Sequence, residues 1–349
     1  MKVAMVTSAH GVGTEDRPVP NPGPGEVLLR VLSAGICGSD LHILPLARQG
    51  TVLGHEVAGT VEVLGDGVDS LKVGDVVCSL PAIGCGTCVK CLLGDPVHCR
   101  DVKLIGAGRT EGSFAEYVVV GARESVQLPP TIDPALGSLV EPLAVGLAIF
   151  ERAQLGIGDR LVIMGAGPVG LAVALWARTM GAADIVVSDP APSRRALAEQ
   201  VGATATVDPL AVPLVDFCND SIGGPPEVVI ECAGRPGTFD EAATVVAHGG
   251  RIVIAGMHLR PSEDFDRKKP YLKSATVQFS SWYTLKHFQH TVRMWDSGRI
   301  DPAPLVTHRV DLAGLGPVVE ELQRANEMGK VIITPANVSS STTRPATAT

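Results

Sequence analysis

The hydrophobic and polar positions of this chain follow two different patterns, and the change comes near residue 141. Before it, short segments of alternating apolar and polar residues are separated by Gly- and Pro-rich turns; examples are "EVLLRVLSAGI", "VAGTVEVLG", "VGDVVCSL" and "SFAEYVVV". Alternation of this kind predicts half-buried β-strands. The first part of the chain is therefore expected to be a strand-rich domain, antiparallel or barrel-like.

The second pattern begins with "EPLAVGLAIFERA", which predicts a helix with Pro142 at its first position. From Arg160 onward, Val/Ile-rich runs alternate with helical segments; the predicted strands are "LVIMG", "DIVVSD", "ATVD", "EVVIECAG", "RIVIAGM" and "TVQFSS". Apolar runs joined by helices are typical of a parallel sheet buried on both faces. After Phe279, "LKHFQHTVRMWDSG" predicts another helix, and "GKVIITP" predicts a strand that returns to the first domain.

Length and composition narrow the class of protein. A chain of 349 residues is expected to form two domains rather than one core. The net charge is −8 and no basic run is present, which argues against nucleic acid or a membrane surface as a partner and favours a small molecule. No signal-peptide pattern is visible, so we expect a cytoplasmic protein whose cysteines are reduced. The low-complexity tail, residues 337–349, is expected to be disordered.

A glycine-rich turn follows the first strand of the second region. In "LVIMGAGPVG" the three glycine positions of G-x-G-x-x-G are Gly165, Gly167 and Gly170, with Pro168 and Val169 between them. The first glycine permits a tight turn, the second lets the backbone approach a pyrophosphate, and the third allows close packing of helix on strand. A strand before the motif and a helix after it favour a dinucleotide site over a plain glycine turn.

The identity of the dinucleotide depends on the next strand. "DIVVSD" ends at Asp189, nineteen residues past Gly170, where a carboxylate can accept hydrogen bonds from the adenosine ribose. This predicts NAD rather than NADP, although Arg194 or Arg195 could soften the preference by reaching a 2′-phosphate. Asp189 as a simple helix cap is the alternative.

Half of the eight cysteines lie within "GCGTCVKCLLGDPVHC", residues 84–99. Four thiolates in one loop are enough to close a tetrahedral zinc shell, so this stretch predicts a structural zinc site formed by Cys85, Cys88, Cys91 and Cys99. Iron–sulfur ligation fits less well, because seven residues precede the last cysteine and no proline follows it. His98 could replace Cys99, although the four thiolates already complete the shell.

A second group of candidate ligands is dispersed over "AGICGSDLH" and "VLGHEVAG". One thiol, one imidazole and one carboxylate (Cys37, His55 and Glu56) suit zinc and leave a coordination position open, as a catalytic site requires. Taken one at a time, each residue also has an ordinary explanation: a buried thiol, a hydrogen-bonded turn histidine and a solvated charge.

In combination, these motifs resemble the zinc-dependent medium-chain alcohol dehydrogenases, in particular the polyol branch with sorbitol and threonine dehydrogenases. The resemblance covers residues 27–335 and rests on "GICGSDLH", "LGHEVAGTV", "VGDVV", the four-cysteine lobe, "GSFAEY", "EPLAVGL", "GAGPVG" and "GKVII", all in family order. It implies a GroES-like catalytic domain and a Rossmann domain. We place the catalytic domain at 1–142 and 287–336 with a zinc lobe at 84–100, and the Rossmann domain at 143–286.

The resemblance also assigns roles. It implies that Cys37, His55 and Glu56 hold a catalytic zinc, and that Glu141 of "EPLA" is a second carboxylate that ligates the metal or holds its water. An acid at that position also suits the start of a helix. Asp40 matches a residue that orients a ligand.

The same family implies a reaction and a cofactor. Ser39 and His42 match proton-relay positions, by which the hydroxyl proton of a zinc-bound alcohol reaches solvent. Hydride then passes to NAD, whose nicotinamide half is expected near "VIECAG" and "IVIAGM". The expected activity is oxidation of a secondary alcohol or polyol-like hydroxyl, or ketone reduction in reverse, with two zinc ions per chain. A non-catalytic nucleotide-binding protein and an NADPH-linked ketone or enoyl reductase are the alternatives, and we expect a homodimer or homotetramer.

Two features depart from the family pattern. Only seventeen residues separate Cys37 from His55, fewer than polyol relatives usually have, so the substrate cannot be carried over. "SSWYTLKHF" is unusual, and Trp282, Tyr283 and Phe288 are expected to pack in the core or to line a pocket or interface.

Overall fold

Two large sheets, two separate two-stranded sheets and the helices around them form the parts of the chain that this computed structural model describes, residues 1–107, 110–257, 266–324 and 327–335. The strands before residue 140 are β1 (Lys2–Val6), β2 (Val12–Asp16), β3 (Glu26–Gly35), β4 (Glu56–Leu64), β5 (Val76–Ser79), β6 (Ala82–Ile83), β7 (Lys103–Leu104), β8 (Tyr117–Gly121) and β9 (Ser125–Gln127). The helices there are α1 (Gly38–Ile43) and α2 (Val89–Leu92). This strand-rich region confirms the prediction from alternation.

The later elements alternate between strand and helix. The helices are α3 (Val140–Ala153), α4 (Pro168–Thr179), α5 (Pro192–Val201), α6 (Leu214–Ile222), α7 (Thr238–Val245), α8 (Lys268–Leu272), α9 (Leu285–Asp296) and α10 (Leu315–Leu322). The strands are β10 (Arg160–Met164), β11 (Asp184–Ser188), β12 (Ala205–Val207), β13 (Val228–Glu231), β14 (Arg251–Ile254), β15 (Thr276–Phe279), β16 (Val306–Val310) and β17 (Lys330–Ile333). All six strands predicted for the parallel sheet are present.

The first sheet joins both ends of the described chain. Its strands lie in the order β16-β17-β3-β4-β5-β9, with β8 also paired to β3. Strand β17 runs antiparallel to β3, with Ile332 opposite Gly35 and Ile333 opposite Ala34. The predicted return of "GKVII" to the first domain is therefore confirmed. Burial of Val331 and Ile333 in the same core as Val27 and Leu29 holds this strand in place.

The second sheet is parallel and has the strand order β12-β11-β10-β13-β14-β15. Side chains alternate between two cores: Leu161 and Ile163 of β10 pack on one face, and Val162 and Met164 pack on the other. Such two-sided burial explains the unbroken apolar runs of the sequence. The chain order reverses between β10 and β13, which makes the carboxyl ends of these two strands the crevice where ligands bind in such sheets.

Helix α3 connects the two halves of the molecule. Leu143 and Leu147 pack with the parallel sheet, whereas Val140, Ala144 and Ala148 pack with residues of the first sheet and of α9. Because this helix belongs to two cores, it gives no sharp boundary between the two predicted domains. The domain boundaries placed at 142/143 and 286/287 stay predictions. By length and hydropathy, Pro134–Ala153 also matches a membrane span, but 67% of its apolar stretch is buried inside the protein, as in a core helix.

Three local expectations need correction or comment. Helix α3 begins at Val140, two residues before Pro142, because a 3₁₀ turn over Pro134–Leu139 leads directly into it. Helix α6 was not predicted, since its Asp and Asn residues favour turns, although Leu214 and Cys218 give it a buried face. The tail at 337–349 lies outside the described residues.

Candidate active site and metal centres

The three dispersed ligand candidates lie together at the junction of β3, α1 and β4. Donor atoms of Cys37, His55 and Glu56 are all within 4.8 Å of one another. Pairing of β3 with β4 sets Glu56 opposite Gly35, where any Cβ would collide with the Glu56 carboxylate. The absence of a side chain at Gly35 therefore makes room for this acid.

Asp40 organises the other two ligand candidates. Its Oδ2 accepts a hydrogen bond from the backbone N–H of Cys37 at 2.9 Å, and its Oδ1 lies 3.1 Å from Nδ1 of His55. An N–H at Nδ1 donated to Asp40 leaves the Nε2 lone pair free for a metal. Burial alone would lower the pKa of His55, but the Asp40 carboxylate raises it well above its usual value. The predicted orienting role of Asp40 is consistent with this geometry.

Glu56 is fully buried and is held by a cation that the motif search did not single out. Its Oε1 forms an ion pair with Nζ of Lys330, which also donates to the carbonyl of Ile36 at 2.9 Å. Burial lowers the pKa of Lys330, but Glu56 and Cys37 more than offset this and raise it. The second oxygen, Oε2, is buried without a hydrogen-bond partner among the described residues. Since a buried acceptor without a partner is costly, this oxygen fits a bound cation.

Glu141 lies nearby but outside the group of three. Its Oε1 accepts a hydrogen bond from the hydroxyl of Tyr283, and both side chains are buried. Burial, together with the negative charge of Glu56, raises the pKa of Glu141 to about 7. Tyr283 stacks on Phe288 with ring centroids 5.6 Å apart, so these two aromatic residues pack in the core, as one of the sequence alternatives expected. Trp282 is half-buried.

The two proton-relay candidates both lie on α1. The hydroxyl of Ser39 is 3.4 Å from Nε2 of His55, which places it beside the open side of the ligand group. His42 follows three residues later on the same helix and is exposed. The structure shows no hydrogen bond between Ser39 and His42 themselves, so a relay between them needs a bridging group.

The four-cysteine loop forms a second cluster. The sulfur atoms of Cys85, Cys88, Cys91 and Cys99 lie within 4.8 Å of one another. Backbone N–H groups of Cys85 and Asp101 donate to the Cys99 sulfur, both at 3.4 Å, as is usual around thiolates that bind metal. His98 turns to Asp95, with 2.7 Å between Nδ1 and Oδ1, so it is not a substitute for Cys99.

The three glycines of the dinucleotide motif differ in their surroundings. A Cβ on Gly170 would overlap the carbonyl of Gly165, so this glycine lets α4 pack closely on the turn. Gly165 has φ +98°, which disfavours any other residue, and lies against Ala233 of the neighbouring loop. Gly167 has open space around its missing Cβ and caps α4, whose first two residues are Pro168 and Val169. Open space before the helix N-terminus fits a pyrophosphate group.

Asp189 lies beside that turn. Its Oδ2 accepts from the backbone N–H of Ala166 and its Oδ1 from that of Ala191, each at 2.8 Å. The carboxylate thus fixes the glycine turn and retains lone pairs for a ribose. Arg195 donates to the carbonyls of Asp189 and Pro190, whereas Nε of Arg194 donates to the carbonyl of Met328. The arginine next to Asp189 is therefore Arg195, and a cofactor contact by Arg194 stays a prediction.

Sequence reasoning missed Lys330 and the contact between Tyr283 and Glu141. A lysine inside an apolar run, as in "GKVII", was a usable signal, since a buried cation needs a partner. Nothing comparable in the sequence indicated that Tyr283 would pair with Glu141.

Comparison with known families agrees with this geometry. Residues 23–130 match the family described as "Alcohol dehydrogenase GroES-like domain", and residues 168–297 match the one described as "Zinc-binding dehydrogenase". The first match contains the three dispersed ligand candidates and the four-cysteine loop, and the second begins at the glycine turn.

Similar proteins cover the chain almost completely. An L-threonine 3-dehydrogenase of Pyrococcus horikoshii is 33% identical, over 95% of this chain and 97% of its own. A sorbitol dehydrogenase of Bacillus subtilis is 31% identical, over 96% and 97%. The solved rspB alcohol dehydrogenase of Escherichia coli CFT073, complexed with NADH, has a TM-score of 0.87 and 28% identity, covering 96% of this chain and 99% of its own. The chain belongs to the zinc-dependent medium-chain alcohol and polyol dehydrogenases.

Proposed function

We propose that this oxidoreductase transfers hydride between NAD and a secondary alcohol or polyol-like hydroxyl, at a zinc ion held by Cys37, His55 and Glu56. The single observation that carries the proposal is the grouping of these donors within 4.8 Å of one another, together with a buried Glu56 oxygen that has no hydrogen-bond partner among the described residues. A thiolate, an imidazole and a carboxylate form a ligand set that suits zinc, and three protein ligands leave a position for the substrate oxygen.

When bound, zinc supplies a Lewis acid that lowers the pKa of the substrate hydroxyl. The residues of the chain orient the ligands and move the proton. Asp40 fixes the ring of His55, and Lys330 holds Glu56 so that its second oxygen stays available. Ser39, beside His55, is placed to accept the hydroxyl proton, and exposed His42 is placed to pass a proton to solvent.

Glu141 has a supporting role in this proposal. Its hydrogen bond to Tyr283 and its distance from the group of three favour contact with a metal-bound solvent molecule or substrate over direct ligation. A carboxyl whose pKa is raised to about 7 can hold or release a proton near neutral pH.

For the cofactor, the support comes from the glycine turn and from Asp189. The open space at Gly167 is suited to a pyrophosphate, and Asp189, which accepts from the backbone N–H of Ala166 in the glycine turn, follows the strand after which an acid binds the adenosine ribose in this fold. A negative charge there disfavours the 2′-phosphate of NADP. We assign the four-cysteine loop to a second, structural zinc, because four thiolates leave no position for substrate.

A cytoplasmic location and a symmetric dimer complete the proposal. Both metal sites need reduced thiols, which a reducing compartment provides. Strand β15 is an edge of the parallel sheet, and Phe279 at its end is 69% exposed. An edge strand with an exposed aromatic residue is suited to pairing with the same strand of a second copy.

Two measurements test the function. Metal analysis is expected to give two zinc ions per chain, and a panel of polyols, amino alcohols, cyclitols and terpenoid alcohols assayed for NADH formation identifies the substrate class. Cys37→Ser is expected to lose one zinc and all alcohol-dependent NADH formation while keeping the fold, as checked by circular dichroism. Full activity of this variant would overturn the assignment of the site.

A further inference from the structure

Glu231 is a buried acid to which the proposed reaction assigns no role. It is the last residue of β13 and is 2% exposed. It lies opposite Met164, the last residue of β10, and opposite Ile254, the last residue of β14. Its position is therefore the point where the strand order reverses, next to the turn that begins at Gly165.

The Glu231 carboxylate folds back on the loop that follows its own strand. Its Oε1 accepts hydrogen bonds from the backbone N–H groups of Ala233 and Gly234, both at 2.8 Å. The backbone carbonyl of Glu231 accepts from Ala255 at 2.8 Å and Gly256 at 2.9 Å in the loop after β14. One residue thus joins two of the three loops at this edge of the sheet.

The loop held in this way is also in contact with the glycine turn. A Cβ on Gly165 would lie 3.0 Å from the nitrogen of Ala233, and a Cβ on Gly256 would collide with Gly234 and with the Glu231 carboxylate. The loops after β10, β13 and β14 are therefore in close contact, mostly through backbone atoms together with the Ala233 Cβ and the Glu231 carboxylate. A displacement of the 233–234 loop therefore alters the packing at Gly165.

Holding a loop with a buried carboxylate costs free energy. Its charge must be removed from water, and it stands at an edge where an anionic pyrophosphate binds. The two N–H donors offset that cost, and they lose their acceptor if the acid is removed. A buried acid at this position is explained if the conformation of the 233–234 loop is important for binding the dinucleotide.

We propose that Glu231 is a positioning residue for the dinucleotide: it fixes the 233–234 loop against Gly165 and thereby shapes the nicotinamide half of the cofactor crevice. The proposal rests on the proposed function, since it assumes that NAD(H) binds at the glycine turn. The hydrogen bonds of Glu231 described above all go to backbone N–H groups of the two loops, so its role in the proposal is to position them.

The test is binding of NADH to the zinc-loaded protein, measured by nucleotide fluorescence, with three variants. Glu231→Ala removes the acceptor of the two N–H groups. The dissociation constant of NADH is expected to be about tenfold or more higher for this variant than for the parent, because small displacements of the loop in a preformed site are costly. Glu231→Gln keeps an oxygen that accepts both N–H bonds, and it is expected to stay within about threefold of the parent. Val229→Ala, a cavity in the same strand, controls for lost stability alone.

Kinetics provide a second readout. Glu231→Ala is expected to raise KM for NAD with a much smaller change in kcat at saturating NAD, and zinc content is expected to stay at two per chain. Equal NADH affinity of Glu231→Ala and the parent, or equal weakening by Val229→Ala, would overturn the positioning role. Failure of the parent protein itself to bind NADH would instead refute the proposed function.

Discussion

The ion pair between Lys330 and Glu56 gives the most quantitative prediction. Both side chains are almost fully buried, with exposed fractions of 2% and 1%. Lys330→Met keeps most of the side-chain volume and removes the charge, which leaves the Glu56 carboxylate buried without its partner. Loss of one member of a buried pair costs about 3–5 kcal/mol.

Zinc changes the size of this effect. With zinc bound as proposed, Glu56 would have a second positive neighbour, so loss of Lys330 is expected to cost less. In the zinc-free protein the full cost applies, and at roughly 1.4 °C per kcal/mol for a chain of this length it corresponds to a fall of roughly 4–7 °C in the melting temperature. The gap between zinc-loaded and zinc-free melting temperatures is therefore expected to widen in Lys330→Met.

The assay is differential scanning calorimetry of the parent and the variant, each with zinc and after chelation. Chelation also empties the four-cysteine loop, but that loss is common to both proteins and cancels in the comparison. The double variant Glu56→Gln/Lys330→Met removes both charges and is expected to recover much of the lost stability of the zinc-free protein. If Lys330→Met lowered both melting temperatures equally, or if the double variant recovered nothing, the argument from charge would be wrong.

Three further predictions concern other parts of the molecule. Cys88→Ser is expected to lower zinc content from two per chain to one and to reduce thermal stability; a variant that retains two zinc ions in metal analysis would contradict the four-thiolate site. Glu227, paired with Arg160, has its pKa lowered from 4.5 to about 2 by that hydrogen-bonded guanidinium, so its contribution to stability is present above about pH 4.5 and is lost as the pH falls toward 2. Urea unfolding between pH 3 and 6 is expected to show a shallower pH dependence for Glu227→Gln, and an unchanged slope would refute this. Phe279→Lys on edge strand β15 is expected to shift the dimer toward monomer in light scattering without loss of zinc, and an unaltered mass would place the interface elsewhere.

Local patterns sufficed for the strands of the parallel sheet and for the four-cysteine loop, but not for helix α6. The β-strands of the parallel sheet follow from apolar runs, and the loop's ligands are close in sequence, so spacing alone indicates a metal. The group of Cys37, His55 and Glu56 was different. Its members meet only because β3 pairs with β4, and each alone has an ordinary explanation, so the family resemblance was needed to connect them.

Contacts between distant segments could not be predicted from the sequence. Tyr283 and Glu141 are 142 positions apart, and Lys330 and Glu56 are 274 apart. Neither pairing follows from periodicity or spacing: the first depends on how the segment at Tyr283 packs on α3, and the second on the pairing of β17 with β3. Which of Arg194 and Arg195 lies next to Asp189 was open for a related reason: adjacent residues on a helix point about 100° apart, and packing decides that Arg195 donates to the Asp189 carbonyl.

The late position of Lys330 has a consequence for how the enzyme is made. All the candidate metal ligands and the whole glycine turn leave the ribosome before the strand that neutralises Glu56. At 5–20 residues per second, the 274 positions between them correspond to roughly 15–55 seconds of synthesis. A chain that stops short of β17 contains every ligand but lacks the support for one of them. The charge of Glu56 is therefore balanced only once β17 has been synthesised and has paired with β3, so the last strand of the described chain completes the candidate metal site.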